Sequence, residues 1–346
     1  MAFICGTGAA FGQHYRTDEM KAAFREAKQR SSGDELAFAD RIFDACGFDG
    51  RSAAPEGREE YLHRRQAEML DLAAEAACQA VQMWGGSCRS ITHLLCGTMT
   101  GGMEAPSLDI RLSKKLGLPD KVERISVENM GCLTGFRLLN VARQIVAADA
   151  VRAKVLVVVA DLRSLIGNSL PDFCERSDVI SACLFRDAAS AAVVTGSRRS
   201  GLLEIIGAKS TMSESVGKYR ENQDGSTCLP DAIAAAEPKF LSTLLSEAGL
   251  PEVPTLAEVD IACLTGGPRI LQEVAQAADV YKDQMEASWA VMKEHGNLSG
   301  ASNLAVLDYH LRRVESRQPP RRFVIGLAMG PGPCLEGVLM KNLAAC

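Results

Sequence analysis

One cysteine of the chain lies between two glycines where the local pattern changes. Cys132 follows the strand-like segment Ile125–Asn129, stands between Gly131 and Gly135, and precedes apolar residues at helical spacing. A thiol at the start of a helix meets unpaired N–H groups and the positive end of the helix dipole, which lowers its pKa and favours the thiolate. The pattern therefore favours a nucleophile, although a single cysteine is more often a buried structural residue.

Two further turns are rich in small residues. The turn Gly296–Ser299 contains Asn297 and opens a helical segment, where asparagine is also suited to plain N-capping. The turn Gly330-Pro331-Gly332 separates two strand-like segments. Because each turn adjoins a predicted strand or helix, we expect their polar groups to converge with Cys132 on one pocket.

Strand-length and helix-length apolar segments alternate along the chain. The uninterrupted run Val155–Ala160 is typical of a central strand covered on both faces, and apolar spacing predicts helices over 18–45, 59–84 and 108–116. The alternation occurs in two similar halves, which predicts an α/β architecture. We place the boundary after residue 197, giving a first half of residues 1–197 and a second of residues 198–346.

Composition excludes several classes of function. The net charge of −5, with no run of Lys or Arg, argues against a nucleic-acid partner. The longest apolar stretches are too short to cross a bilayer, and the N-terminus lacks the features of a secretion signal. The twelve cysteines form no CxxC pair, which predicts free thiols in a reducing cytoplasm and no metal site.

Six segments of the chain, taken in order, carry a shared set of motifs: Ile91–Cys96, Gly131–Val159, Leu184–Ala189, Leu264–Leu271, Glu294–Ser299 and Ala328–Gly332. They resemble, in the same order, the motifs ITHL, the nucleophile helix with RVLVV, LFGDGAA, HPGGPAIL, EYGNMSS and GFGPG. These motifs are typical of the type III polyketide synthases (chalcone and stilbene synthases), a family of thiolase-fold condensing enzymes. The resemblance implies an αβαβα layered sandwich, a homodimer, thioester substrates and no cofactor.

The resemblance also implies roles for single residues. Cys132 corresponds to the nucleophile that forms the acyl-enzyme, and Asn297 to the asparagine that, with a histidine, holds the thioester carbonyl of malonyl-CoA. Phe185 matches one of two gatekeeper phenylalanines, and Cys228 stands at the position of the second. The turn Gly330-Pro331-Gly332 corresponds to the segment that shapes the pocket.

The histidine of the family motif is missing, because Leu264 stands in its place. Leucine offers neither a hydrogen-bond donor nor a charge, and loss of one such donor costs about 3–4 kcal/mol of transition-state stabilisation. His295, beside Asn297, is a substitute only if its side chain turns inward. The segment Ala45–Arg51, which matches the family's CoA-phosphate site, retains Arg51 as its one cation, so an acyl-carrier protein is an alternative donor to CoA.

These features predict an acyltransferase of the type III polyketide synthase type. We expect Cys132 to accept an acyl group, and the second step to be Claisen-type condensation with an atypical extender or transfer to another acceptor. The alternative is a catalytically reduced partner subunit that forms a heterodimer with an active ketosynthase. The retention of Cys132 argues against that alternative.

Overall fold

The computed structural model describes residues 1–27, 33–46, 50–52, 59–100, 105–163, 180, 183–212, 228–314, 320–330 and 334–345. The strands are β1 (Ala2–Phe11), β2 (His14–Arg16), β3 (Gly50–Ser52), β4 (His93–Thr98), β5 (Glu123–Glu128), β6 (Lys154–Leu162), β7 (Asp187–Thr195), β8 (Leu203–Met212), β9 (Val259–Cys263), β10 (Phe323–Gly330) and β11 (Cys334–Asn342). The helices are α1 (Thr17–Ala27), α2 (Gly33–Ala45), α3 (Glu59–Trp84), α4 (Leu108–Leu116), α5 (Thr134–Ala148), α6 (Cys228–Ser246), α7 (Pro268–Ala277), α8 (Glu286–His295) and α9 (Ser302–Val314).

Among the described residues, nine strands form one sheet in the order β5-β4-β6-β7-β1-β8-β11-β10-β9. In the first half β4 pairs parallel with β5 and β6, and β6, β7 and β1 pair antiparallel. In the second half β9 and β10 are parallel, and β10, β11 and β8 are antiparallel. A parallel pair followed by two antiparallel pairings therefore occurs in both halves, as expected for two similar halves, and β5 is an additional parallel strand of the first.

The two halves join where β1 meets β8. This pairing is short and runs from Ala2 opposite Ile205 to Ile4 opposite Leu203. The chain passes between the halves through the 3₁₀ turn Arg198–Ser200. The domain boundary after residue 197 stays a prediction, because strand pairing continues across the junction.

Helices cover both halves and also lie between them. The central helices α5 and α9 pack against each other and against strands of both halves, within one large apolar cluster. Helix α3 covers the outer face of the first half, and α6 and α7 lie on the second. Helix α3 lies so close to β1 that a Cβ added at Gly6 would be 2.2 Å from the Ala80 carbonyl oxygen. This layering matches the predicted αβαβα sandwich.

The elements around the predicted nucleophile follow from simple patterns. Helix α5 buries Leu138, Leu139, Ala142 and Val146 at helical spacing, and each buried leucine stabilises the fold by roughly 1.5–3 kcal/mol. Strand β6 is buried along nearly its whole length, because α3 and α5 cover its two faces. Together they fix the end of β6 next to the start of α5.

Most predicted elements have their expected position. Helices α3 and α4 have the predicted bounds. The sequence also predicts a strand over Leu202–Ala208, and the observed strand β8 continues to Met212. The single helix predicted over 18–45 is described as α1 and α2. The sequence also predicts a loop and a helix over 164–180, and this segment lies almost entirely outside the described residues. No described helix has the length and apolar character needed to cross a membrane.

Candidate active site at the start of the central helix

Cys132 occupies a tight turn between β5 and α5. Asn129 and Gly131 both have left-handed backbone conformations, with φ of 62° and 66°. These suit asparagine and glycine better than other residues. Cys132 is the middle residue of the 3₁₀ turn Gly131–Leu133, and the Thr134 hydroxyl donates to the Gly131 carbonyl at 2.6 Å. The turn therefore holds the partly buried thiol in a fixed place directly before α5.

The structure brings the three small-residue turns together. A Cβ added at Gly300, just after the Asn297 turn, would be 3.0 Å from the Gly131 carbonyl oxygen. A Cβ added at Gly330 would be 2.8 Å from the Leu133 side chain. Asn303 Nδ2 donates to the Cys132 carbonyl at 2.9 Å. Pro331 and Gly332 lie outside the described residues, so their place in the pocket stays a prediction.

Asn297 is buried and tied to Phe185. Its N–H donates to the Leu184 carbonyl at 3.2 Å, and its carbonyl accepts from the Arg186 N–H at 2.8 Å, which forms a short parallel bridge with Phe185. Its side-chain Oδ1 accepts from the Ser299 N–H at 2.9 Å. The oxygen thus closes a local turn onto the N–H two residues further on, just before the 3₁₀ helix Ser299–Ala301, whose N-cap is Leu298. Any contact with a thioester carbonyl must come from Nδ2, the donor end of the amide.

A buried carboxylate that sequence reasoning missed lies beside this turn. Asp161 in β6 accepts from the Met99 N–H at 2.5 Å and from the Gly300 N–H at 2.9 Å, and shares a hydrogen bond with the Ser299 side chain. Burial raises the pKa of Asp161, against the lowering effect of these donors. The signal in the sequence was an acidic residue directly after the apolar run Val155–Ala160.

The thiol is less acidic than predicted. The pKa of Cys132 is raised to about 11, chiefly by burial and next by the Asp161 carboxylate. A hydrogen bond with Ser299 and the charge of Arg163 lower the pKa of Cys132 by less than these effects raise it. The prediction of a lowered pKa is therefore wrong, since desolvation and a like charge outweigh the helix terminus. Near neutral pH the free protein holds Cys132 as a thiol.

Arg163 is a second charged residue that sequence reasoning missed. It directly follows β6, and its guanidinium carbon lies 5.1 Å from the centre of the Phe185 ring. Its Nε is buried without a hydrogen-bond partner, and it makes no ion pair with another described residue. The half-buried Phe185, the predicted gatekeeper, thus makes a cation–π contact with Arg163 at the site.

Leu264 presents an apolar side chain at the end of β9. Leu264 is 2% exposed, and its N–H donates to the Leu327 carbonyl at 3.0 Å. The next residue, Thr265, accepts from the Leu298 N–H at 3.3 Å, which ties this segment to the Asn297 turn. Leu264 and Leu298 belong to the apolar cluster against which Cys132 packs. That Leu264 replaces the family's histidine stays a prediction.

His295 does not have the surroundings of a substitute. Its ring stacks on Phe11, with ring centres 3.6 Å apart and an angle of 3°. The pKa of His295 is lowered to about 4, mainly by burial and then by the nearby His14. The ring is therefore neutral near pH 7 and supplies no cation to Cys132. None of its described contacts is with Cys132 or Asn297.

The predicted second gatekeeper position and the predicted CoA-phosphate segment are described only in part. Cys228 is the first residue of α6, but its side chain lies outside what is described, and so does that of Arg51 in the predicted CoA-phosphate segment. Asp44, directly before that segment, pairs with Lys21 at the surface. Within the described parts of the chain, no group of three or more His, Cys, Asp or Glu side chains is arranged to hold a metal ion.

The chain matches two models of one family. Residues 56–198 match the N-terminal domain of chalcone and stilbene synthases, and residues 220–344 match the C-terminal domain. It is 29% identical over 286 residues to probable polyketide synthase 1 of Dictyostelium discoideum, across 79% of this chain and 9% of that much longer protein. It is 26% identical over 289 residues to type III polyketide synthase A of Arabidopsis thaliana, across 80% of this chain and 72% of that protein.

Solved structures show the same fold. The C-terminal type III polyketide synthase domain of Steely1 from Dictyostelium aligns with a TM-score of 0.86 and 23% identity, covering 99% of both chains. CsyB, in complex with CoA, aligns with a TM-score of 0.86 and 22% identity, covering 99% of this chain and 100% of that one. The predicted thiolase-like fold is confirmed.

Proposed function

Because the chain belongs to the chalcone and stilbene synthase family of condensing enzymes, we propose that it transfers an acyl group from a thioester onto Cys132 and then to a second substrate. The observation that carries the proposal is the meeting of the Cys132 turn, the Asn297 turn and Gly330 beside an apolar Leu264. The donor is an acyl-CoA or an acyl-carrier protein, and the CoA bound to the related CsyB supports the former.

The first step needs only the thiol and the pocket around it. The Cys132 sulfur attacks the thioester carbonyl, the bond from that carbon to the leaving sulfur breaks, and the proton of the Cys132 thiol passes to the departing thiolate. A raised thiol pKa slows this step near neutral pH, because the thiolate is the reactive form. Backbone N–H groups near Cys132 and Gly330 are our candidates for holding the developing oxyanion.

The second step determines what kind of synthase this is. Decarboxylation of malonyl thioester produces an enolate that the family stabilises with a histidine and an asparagine, and Leu264 supplies no donor. We therefore propose that the acceptor is an extender whose carbanion forms more readily, such as a β-keto thioester, or else an amine, alcohol or thiol. The protein acts as a homodimer in the cytoplasm.

The proposed second step is tested with preloaded enzyme. Acyl-enzyme freed of excess donor is mixed with malonyl-CoA, with a β-ketoacyl-CoA or with small amine and thiol acceptors, and loss of the acyl mass is followed over time. We expect the β-ketoacyl-CoA or an acceptor to discharge Cys132 at least about 10-fold faster than malonyl-CoA, given the missing donor. Repeated extension with malonyl-CoA by the unmodified protein would rule out the proposed second step.

A partner subunit of an active ketosynthase remains the second candidate. The observation in its favour is the pKa of Cys132, which is raised to about 11 and leaves little thiolate near pH 7. In that role, residues of this chain would line part of the pocket of the active subunit, and Cys132 would carry no acyl group. Failure of every acyl-CoA and acyl-carrier donor to modify Cys132 would favour this candidate.

A further inference from the structure

We propose that Arg163 binds a carboxylate in the acyl pocket, so that the acyl group carried by Cys132 is the half-thioester of a dicarboxylic acid. This inference rests on the proposed function, because it names the class of acyl group that the site accepts. The transfer chemistry is unchanged. A carbon–sulfur bond forms to Cys132, the donor thiol leaves with the proton, and the distal carboxylate is retained.

Arg163 has the right position for such a contact. It lies two residues after Asp161, in the turn that directly follows β6. Asp161 accepts a hydrogen bond from the N–H of Gly300, which adjoins the Cys132 turn. The guanidinium rests on Phe185, which is bridged to Asn297. Arg163 is therefore linked through Phe185 to the Asn297 turn, and it follows closely on Asp161, which binds beside the Cys132 turn.

Electrostatic interactions also place Arg163 near the reacting atom. Its charge lowers the pKa of Cys132 and the pKa of Asp161, so both groups lie within its field. A carboxylate bound to Arg163 would thus belong to the same ligand whose thioester carbon reaches Cys132.

Arg163 lacks an anionic partner within the described structure. The nearby carboxylate, Asp161, is already occupied by N–H groups of Met99 and Gly300 and by hydroxyl groups of Thr98 and Ser299. The Arg163 Nε is buried with no acceptor. A partly buried guanidinium without hydrogen bonds is costly, and its planar fork fits a carboxylate through two parallel bonds.

The carboxylate that Arg163 binds is one that stays on the acyl group and is not lost as CO₂. A cation that binds the carboxylate of malonyl thioester stabilises the ground state, which slows the loss of that group as CO₂. Leu264 gives no compensating donor to the enolate that would form. An arginine at this place is therefore suited to recognising an acyl group and poorly suited to promoting decarboxylation.

Matched acyl donors test the inference. Succinyl-, glutaryl- and adipoyl-CoA are compared with neutral branched acyl-CoAs of equal length, in which an isopropyl group replaces the carboxylate, and acylation of Cys132 is measured by mass spectrometry. The best dicarboxylic donor should acylate the protein about 10- to 100-fold faster than its neutral match, as expected for a charged hydrogen-bonded pair. Arg163→Gln should abolish this preference and Arg163→Lys should keep part of it.

A second readout needs no acyl transfer. Iodoacetate carries a negative charge and iodoacetamide does not, and both alkylate the thiolate. The ratio of the iodoacetate rate to the iodoacetamide rate at one cysteine is therefore independent of the fraction of thiolate, and it reports how strongly the site prefers an anion. That ratio should be about 10-fold higher at Cys132 than at the exposed Cys78, and Arg163→Gln should bring it down to the Cys78 value.

The outcomes are distinct. Equal rates for charged and neutral donors, or a preference that survives in Arg163→Gln, would overturn the inference. So would an Arg163→Gln protein that loads glutaryl groups normally but consumes malonyl-CoA more slowly, because the carboxylate would then be the extender's. If no acyl donor modifies Cys132, the proposed function fails, and the alkylation ratio still decides whether Arg163 binds an anion there.

Discussion

Replacing Leu264 with histidine should make the protein a far better malonyl decarboxylase, with a rate increase of about 10²- to 10³-fold. An imidazole would supply a donor to the enolate oxygen, and removal of one such donor typically costs about 3–4 kcal/mol. Leu264 is fixed by its backbone bond to Leu327, and its neighbour Thr265 contacts the Asn297 turn, so the new ring would start from a rigid position near Asn297. The measurement is release of CO₂ and formation of acetyl-CoA from malonyl-CoA.

The control for this variant is Leu264→Asn, which adds polarity at the same position without an imidazole. Both variants place a polar group where the side chain is 2% exposed, so thermal melting is recorded for each. A folded Leu264→His protein with no gain in decarboxylation would show that Leu264 does not occupy the histidine position. Equal decarboxylation by the unmodified protein would lead to the same conclusion.

Replacing Glu237 with glutamine should remove a large dependence of stability on pH. Glu237 in α6 is buried, and both its carboxyl oxygens lack a hydrogen-bond partner in the described structure. Burial raises the pKa of Glu237 from 4.5 to about 8. Because folding raises this pKa, the carboxyl ionises more easily in the unfolded state than in the folded state, and its ionisation therefore destabilises the fold.

The pH window follows from these two pKa values. Below pH 4.5 the group is protonated in both states and has no effect, and between pH 4.5 and about 8 the free energy of unfolding falls as pH rises. The total fall is on the order of 5 kcal/mol. Chemical unfolding at pH 5, 7 and 9 should show this fall in the unmodified protein and its loss in Glu237→Gln.

Glu247→Gln is the matched control, because Glu247 lies just beyond the same helix and is exposed, in a surface pair with Lys209. Its removal should change stability by less than about 1 kcal/mol at any of these pH values. The Glu237 account is wrong if Glu237→Gln and Glu247→Gln show the same pH dependence as the unmodified protein. Cys263 lies within the field of Glu237 and stays neutral over this range, since burial raises its pKa well above the ordinary value.

The elements could be predicted from local patterns. Helix α3 was predictable because Leu72, Ala73, Ala76 and Ala80 recur at helical spacing and Gly85 ends the helix with a left-handed backbone. The predicted strands and helices beside the three turns led to the expectation that the turns meet in one pocket. The resemblance to a family added which residues meet there, because separation along the chain says nothing about distance in space.

The electrostatics of the site could not be predicted in the same way. The thiol of Cys132 sits near a helix start, which argues locally for a low pKa, whereas the deciding groups come from the end of β6. Asp161 and Arg163 reach Cys132 because β6 pairs with β4 and α5 packs on β6. Burial of the thiol and the position of a charge about 30 residues away are tertiary effects, and no local pattern reports them.

The most direct test of the central claim is the mass of the intact protein after exposure to acyl-CoA and acyl-carrier donors, with peptide mapping and Cys132→Ala as control. The claim predicts one added acyl group, located on the peptide that contains Cys132 and absent from Cys132→Ala. The exposed Cys78 provides an internal check for unspecific acylation. An unmodified Cys132 with every donor, or equal labelling of Cys132→Ala, would contradict the claim that this cysteine is the acyl carrier.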